Sequence, residues 1–154
     1  MKTKATIIFA ACVWISCMGQ AQTPGRTTLD LEKAARIAHA AHERAMQDEW
    51  NVAIVILDAG GHMLYFKRMD GTQLASIDVA IEKAKTALFY KRPTKIFQDR
   101  LAQGETAILS LPDMMPFEGG LPVTKDGVVV GSIGVSGVTA QQDGIIAAAG
   151  LNAL

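Results

Sequence analysis

Residues 52–69 read VAIVILDAGGHMLYFKRM, and the fold class follows from this stretch. Val52 to Leu57 is an unbroken aliphatic run, mostly β-branched, as in a strand covered on both faces. Asp58-Ala59-Gly60-Gly61 supplies turn residues, and Met63 to Met69 reads as a second strand, so the two form a hairpin. The pattern recurs downstream, where Leu121 to Thr124 and Val128 to Val135 flank Lys125-Asp126-Gly127 as a second hairpin. Strands joined by such tight turns are antiparallel. With helices before, between and after the hairpins, the class is α+β in a single domain.

Upstream of the first hairpin, the chain from Leu29 to about Glu49 is alanine-rich and free of Gly and Pro. Thr27 and Thr28 offer N-caps, and Asp30 and Glu32 place acid in the first turn. At about 100° per residue, Leu31, Ala34, Ala35, Ala38, Ala41, Ala45 and Met46 share one helix face. Downstream, Ser76 to Tyr90 reads as a second helix with Ile77, Ala80, Ile81, Ala84 and Leu88 on its apolar side. Arg92-Pro93-Thr94 breaks it, and Thr94 is placed to cap a short third helix ending near Gly104. Ala107 to Leu111 is a short apolar segment, followed by an irregular loop from Pro112 to Pro122. Gly131, Gly134 and Gly137 in and after the last strand suggest close backbone approach. Thr139-Ala140-Gln141-Gln142 is a capping box opening a final helix to about Gly150.

The whole chain has 154 residues, 49% hydrophobic and 19% charged, with net charge +0. This is a globular composition. Net neutrality argues against nucleic acid as a partner. The two ends differ, however. Lys2 and Lys4, the apolar stretch Ala5 to Ile15, and Gly19-Gln20-Ala21 have the three-part pattern of a signal peptide cut after Ala21. The expected organisation is a signal peptide (1–21), a linker (22–27) and one domain (28–154), exported to the periplasm or secreted, with no stable membrane insertion after cleavage. Removing 21 residues leaves 133, with 13 basic and 15 acidic groups, and removes both cysteines, Cys12 and Cys17. Thiolate metal sites are then impossible, and the cofactor question passes to histidine.

His39 and His42 lie one helical turn apart on the first helix, and the wheel puts His42 within the alanine face. An imidazole there is either a hydrogen-bonded core group or a ligand in a pocket that the alanines leave open. His62, in the hairpin turn, reads as solvated. Ser76, Lys83 and Tyr90 recur every seven residues as a polar stripe on the second helix, closing on the sheet or on another subunit. Arg68 and Asp70 could form a local ion pair or hold an anion. Phe117-Glu118-Gly119-Gly120 could present backbone amides to a carboxylate. Gly131 to Gly137 is no dinucleotide fingerprint, because it lies on a hairpin strand with no acidic residue about 20 positions on.

Taken together and in order, several segments resemble the GlcG/HbpS family. They are Asp58-Ala59-Gly60-Gly61-His62, Arg68-Met69-Asp70-Gly71, Ser76-Ile77 with Lys83-Ala84 and Thr86-Ala87, and Arg92-Pro93-Thr94. The later ones are Phe117-x-Gly119-Gly120-x-Pro122, Gly131 to Gly137, and Asp143. The resemblance implies a profilin-like, five-stranded antiparallel sheet flanked by helices, and assembly into homo-oligomers. It also implies haem as cofactor, since the family includes secreted haem-binding proteins and a haem-binding domain attached to corrinoid adenosyltransferases. Other members are encoded near glycolate oxidation genes, which leaves a small organic acid as an alternative ligand. Arg68, Lys83, Phe117, Gly119 and Gly120 match family positions and are expected to line the ligand site. His42, or failing that His39, is expected to ligate iron on the evidence of the helical wheel, not of the family motif.

Overall fold

A computed structural model describes residues 28–154. The expected signal peptide and the linker lie outside the described residues. The element order is α1 (Leu31–Gln47), β1 (Ala53–Asp58), β2 (Met63–Arg68), α2 (Ala75–Phe89), α3 (Lys95–Ala102), a 3-10 turn (Thr106–Ser110), β3 (Gly120–Lys125), β4 (Val128–Ser136) and α4 (Ala140–Leu151).

Both expected hairpins form. Asp58 Oδ1 accepts from the amides of Gly60 and His62 at 2.8 and 2.9 Å, closing the first turn. The second turn is the pair Asp126-Gly127, both at positive φ, as a two-residue hairpin loop requires. The strands join in the order β2-β1-β4-β3, every pair antiparallel. The described residues therefore hold four strands, not the expected five. The remaining apolar segment, Ala107 to Leu111, adds none because Thr106–Ser110 coils locally, with Ser110 Oγ donating to the Ala107 carbonyl.

β1 is covered on both sides, and its alternate residues separate two cores. Val52, Ile54 and Ile56 pack with Ile37, Ala38, Ala41 and Ile146 of α1 and α4. Ala53, Val55 and Leu57 pack with Ala80, Ala84 and Leu88 of α2. The molecule is thus three layers deep, with α1 and α4 on one face of the sheet and α2 on the other.

Two local expectations change. Asp30, not a threonine, caps α1, its carboxylate accepting from the Lys33 amide at 2.8 Å. The buried stripe of α1 is Ala34, Ile37, Ala38, Ala41 and Ala45, while Leu31 and Met46 are more than half exposed. The stripe is rotated toward Ile37 because α1 packs against α4 as well as the sheet, and His42 is left at its rim, half-buried.

The contact between α2 and β4 is unusually close. Ser132 donates to the Ala84 carbonyl at 2.8 Å, across the layer boundary. A Cβ on Gly134 would overlap the Ala80 carbonyl oxygen and lie 2.7 Å from the Ala84 nitrogen. Backbone therefore meets backbone, with alanine, serine and glycine as the only residues thin enough to allow it. Gly134→Ala should lower the free energy of unfolding by about 2–3 kcal/mol through overpacking. Urea denaturation measures this; a loss below about 0.5 kcal/mol, typical of surface changes, would mean that α2 can move away.

Candidate functional site

One cleft of about 380 Å³ opens between α2, the 111–119 loop and the start of α4. Ser76, Val79 and Lys83 line it from α2, Met115 and Phe117 from the loop, and Asp143 from α4. The loop is strapped to α2 by side chains of that helix and its end. Thr86 Oγ1 donates to the Asp113 carbonyl and accepts from the Met115 amide, both at 2.8 Å, and the Tyr90 hydroxyl donates to the Pro112 carbonyl at 2.6 Å. Gln98 of α3 accepts from the Glu118 amide. The Ser76–Lys83–Tyr90 stripe is accordingly spent on the cleft and its loop. Phe117 stands half exposed at the rim.

The Gly119-Gly120 pair serves close packing. A Cβ on Gly119, whose φ is +126°, would lie 2.6 Å from the Val135 carbonyl oxygen, 2.8 Å from Asp143 Cβ and 3.0 Å from Lys83 Nζ. Gly120 donates its amide to Thr94 Oγ1 at 2.9 Å. Thr94 was expected to cap α3; its hydroxyl instead bonds the start of β3, and it makes no side-chain cap. The Gly120 amide is therefore already satisfied, and only Gly119 lies beside the ion pair at the floor of the cleft.

That pair is Lys83 and Asp143, 60 residues apart, joined at 2.7 Å with side chains 3% and 2% exposed. Lys83 Nζ also donates to the Val135 carbonyl at 3.1 Å, and Asp143 Oδ1 accepts from the Val138 amide at 3.3 Å. An ammonium has three donors, so one N–H of Lys83 is uncommitted. Burial lowers the Lys83 pKa from its ordinary value, against the opposing pull of Asp143 and the charge of Glu118. Burial likewise pushes Asp143 up to about 6, although Lys83 pulls it down. Desolvation is thus the dominant influence on both members. Ser76 Oγ, two turns before Lys83 on α2 and on the wall of the same cleft, is buried with no hydrogen-bond partner among the described residues.

The histidines and Arg68 lie elsewhere. A second cleft of about 350 Å³ is lined by His42, Met46, Asn51, Lys67, Arg68, Met69 and Asp70. The structure thus brings His42 and Arg68 together in one cleft but places Lys83 and Phe117 on the lining of the other, with Gly119 packed against the Lys83–Asp143 pair and Gly120 against the Lys83 backbone. Desolvation, and then the positive charge of Lys67, hold the His42 pKa below the ordinary imidazole value. His39 faces solvent, 3.3 Å from Glu43. His62 is also exposed, 3.4 Å from Asp58. No Arg68–Asp70 ion pair forms among the described residues, which leaves the guanidinium uncommitted to a carboxylate. No cluster of three His, Cys, Asp or Glu side chains suited to a metal occurs among the described residues. No helix among them is long and apolar enough to cross a membrane. Sequence reasoning missed Lys67, whose position beside Arg68 on β2 was visible, and it missed that Asp143 meets Lys83, for which no local signal exists.

Comparison with known proteins gives a consistent result. The sequence profile described as "haem degrading protein HbpS-like" matches residues 29–152. Protein GlcG of Escherichia coli (strain K12) is 36% identical over 111 residues, 72% of this chain and 83% of that protein. The crystal structure of HbpS superposes with a TM-score of 0.76 at 37% identity, covering 83% of this chain and 91% of that one. The crystal structure of a PduOC–haem complex superposes with a TM-score of 0.75 at 30% identity, covering 82% and 95%.

The Lys83–Asp143 pair makes a signed prediction. The folded pKa of Asp143, about 6, lies above its unfolded value of 3.8. Its contribution is therefore fully present below pH 3.8 and lost as pH rises through about 6. Carboxyl NMR should show Asp143 titrating near pH 6, and Lys83→Met should move that midpoint higher by removing the cation that lowers it. Lys83→Met alone should cost about 3–5 kcal/mol, and most of it should return in Lys83→Met/Asp143→Leu, because a lone buried charge is worse than none. A double variant no more stable than the single one would mean that the pair itself holds the fold.

Proposed function

The chain belongs to the HbpS-like family, and from that premise we propose that it binds haem in the cleft between α1 and β2, with His42 as the iron ligand. The observation that carries this reading is the juxtaposition of His42 with Lys67 and Arg68 in one open cleft. The donor set fits the group. Imidazole is an ordinary haem ligand, and it must be unprotonated to ligate. Burial and the charge of Lys67 favour that form of His42 by disfavouring the charged one. Lys67 and Arg68 supply two cations for carboxylate side groups, Arg68 with a fork that can bind bidentately. Met46 and Met69 offer soft apolar surface for the ring. Bound haem supplies iron-centred redox chemistry, from which any haem breakdown would arise; the residues of the chain bind and orient it. Support also comes from the similar PduOC structure, which is described as a haem complex.

The cleft is open to solvent, so it would seat one part of the ring and leave the rest for a neighbouring subunit to cover. We accordingly propose a homo-oligomer, consistent with the exposed apolar side chains Leu74, Phe89, Leu109 and Phe117. Export to the periplasm or secretion is proposed on the first 21 residues alone, from Lys2, Lys4, the apolar run and Gly19-Gln20-Ala21.

Titration of the purified protein with hemin should give a shifted Soret band that weakens on acidification, as protonation of His42 removes the ligand. His42→Ala should lose the ligated band position, Arg68→Ala should weaken binding about tenfold or more as one charge-assisted contact is lost, and His39→Ala should change neither. An unaltered spectrum in His42→Ala would overturn the assignment of the ligand.

A further inference from the structure

We propose that the cleft between α2 and α4 captures small uncharged aldehydes or ketones as an imine on Lys83, with Asp143 as the proton acceptor and Ser76 as a binding group. The site is separate from the His42 cleft and its argument does not depend on haem.

Three observations converge on it. The first is a nucleophile on a cleft floor: Lys83 is 2% exposed in total, yet it lines an open cavity of about 380 Å³. Two of its donors are committed, to Asp143 and the Val135 carbonyl, and one remains for a ligand oxygen. The second is Ser76, a hydroxyl 1% exposed, without a hydrogen-bond partner among the described residues, on the wall of the same cavity. A buried polar group left unpaired is costly, and a ligand with a polar atom would relieve that cost. The third is charge. Lys83 faces Asp143 at 2.7 Å and also feels the charge of Glu118. The two carboxylates outweigh the single ammonium, so the small organic acid suggested by the sequence would be repelled when ionised. An uncharged molecule with one oxygen acceptor and a short apolar body suits the lining of Val79, Met115, Phe117, Val138 and Ala140.

The chemistry is balanced without any further reactant. The Lys83 ammonium passes a proton across the 2.7 Å hydrogen bond to the Asp143 carboxylate, leaving a neutral amine. The nitrogen lone pair attacks the carbonyl carbon, a C–N bond forms, and the C=O π pair moves to oxygen, which takes a proton from the nitrogen. Asp143 returns its proton to the resulting hydroxyl, which leaves as water while the nitrogen lone pair forms C=N. Ammonium and carbonyl have become a protonated imine and one water, Asp143 ends as it began, and nothing is oxidised or reduced. Burial favours the amine by disfavouring the charged form of Lys83.

The test treats the purified full chain with butanal and cyanoborohydride, which reduces an imine to a stable secondary amine, and reads the labelled lysines by peptide mass spectrometry. Lys83 should label about tenfold or more faster than exposed Lys125, because a positioned proton acceptor is worth about a hundredfold. Labelling of Lys83 no faster than Lys125 would overturn the proposal. Glyoxylate, an aldehyde bearing a carboxylate, should show no preference for Lys83; preferential labelling by glyoxylate over butanal would overturn the selectivity for uncharged compounds. Asp143→Asn should slow Lys83 labelling roughly a hundredfold while leaving Lys125 unchanged. If that variant does not fold, Ser76→Ala serves in its place. It should raise the butanal concentration for half-maximal rate without lowering the maximal rate, a split that a merely structural serine would not produce; an unchanged half-maximal concentration would overturn the role given to Ser76.

Discussion

The approach of α2 to β4, backbone against backbone, is the constraint on which the rest of the structure depends. Ser132 and Gly134 on the strand, and Ala80 and Ala84 on the helix, have no bulk with which to hold the two apart. The consequence runs outward along α2. With the helix pressed onto the sheet, Lys83 lies beneath the surface and its ammonium must find partners in the interior: the carbonyl of Val135 and the carboxylate of Asp143. Gly120 is pinned in the same way, because a Cβ there would overlap the carbonyl oxygen of Lys83. One helix seat thus positions the ion pair, the start of β3 and the glycine that passes over the pair.

The two clefts have opposite electrostatic characters. Around His42 stand the cations Lys67 and Arg68, with the carboxylates of Asp70 and Glu43 also near. This suits a neutral imidazole and anionic side groups of a ligand. Around Lys83 the neighbouring charges are carboxylates, and the ammonium is already matched. The same desolvation that disfavours the charged imidazole in one place disfavours the ammonium in the other. A single scaffold therefore carries two clefts of different charge, one on α1 and β2 and one between α2 and α4.

Much of the fold was legible in the sequence because its signals are local. The Asp58–Gly61 turn, the Asp126-Gly127 turn and the Thr139 capping box each act within a few residues, and each formed as read. Errors arose where a distant neighbour outbid a local preference. Thr94 was read as a cap, but Gly120, 26 residues on, takes its hydroxyl. The apolar face of α1 was read to include Leu31 and Met46 because the wheel cannot know that α4 packs on the Ile37 side of the helix. The five-stranded expectation came from the family resemblance, and the segment left over from the two hairpins is too short and too well closed on itself to add a strand.

The candidate site divides along the same line. Lys83, Arg68, Phe117, Gly119 and Gly120 could be named from motifs, and His42 from its place on a helix. That His42 and Arg68 share one cleft and Lys83 and Phe117 another could not be seen, because which residues share a cavity depends on how helices seat on the sheet. By itself the sequence determined the antiparallel α+β plan and the residue types available for chemistry, since turns, caps and strand periodicity are short-range. Only the tertiary structure decided that Lys83 meets Asp143, that Ser76 is stranded in a wall, and that Lys67 joins His42. Burial and long-range pairing set those outcomes, and both exist only once the layers have packed.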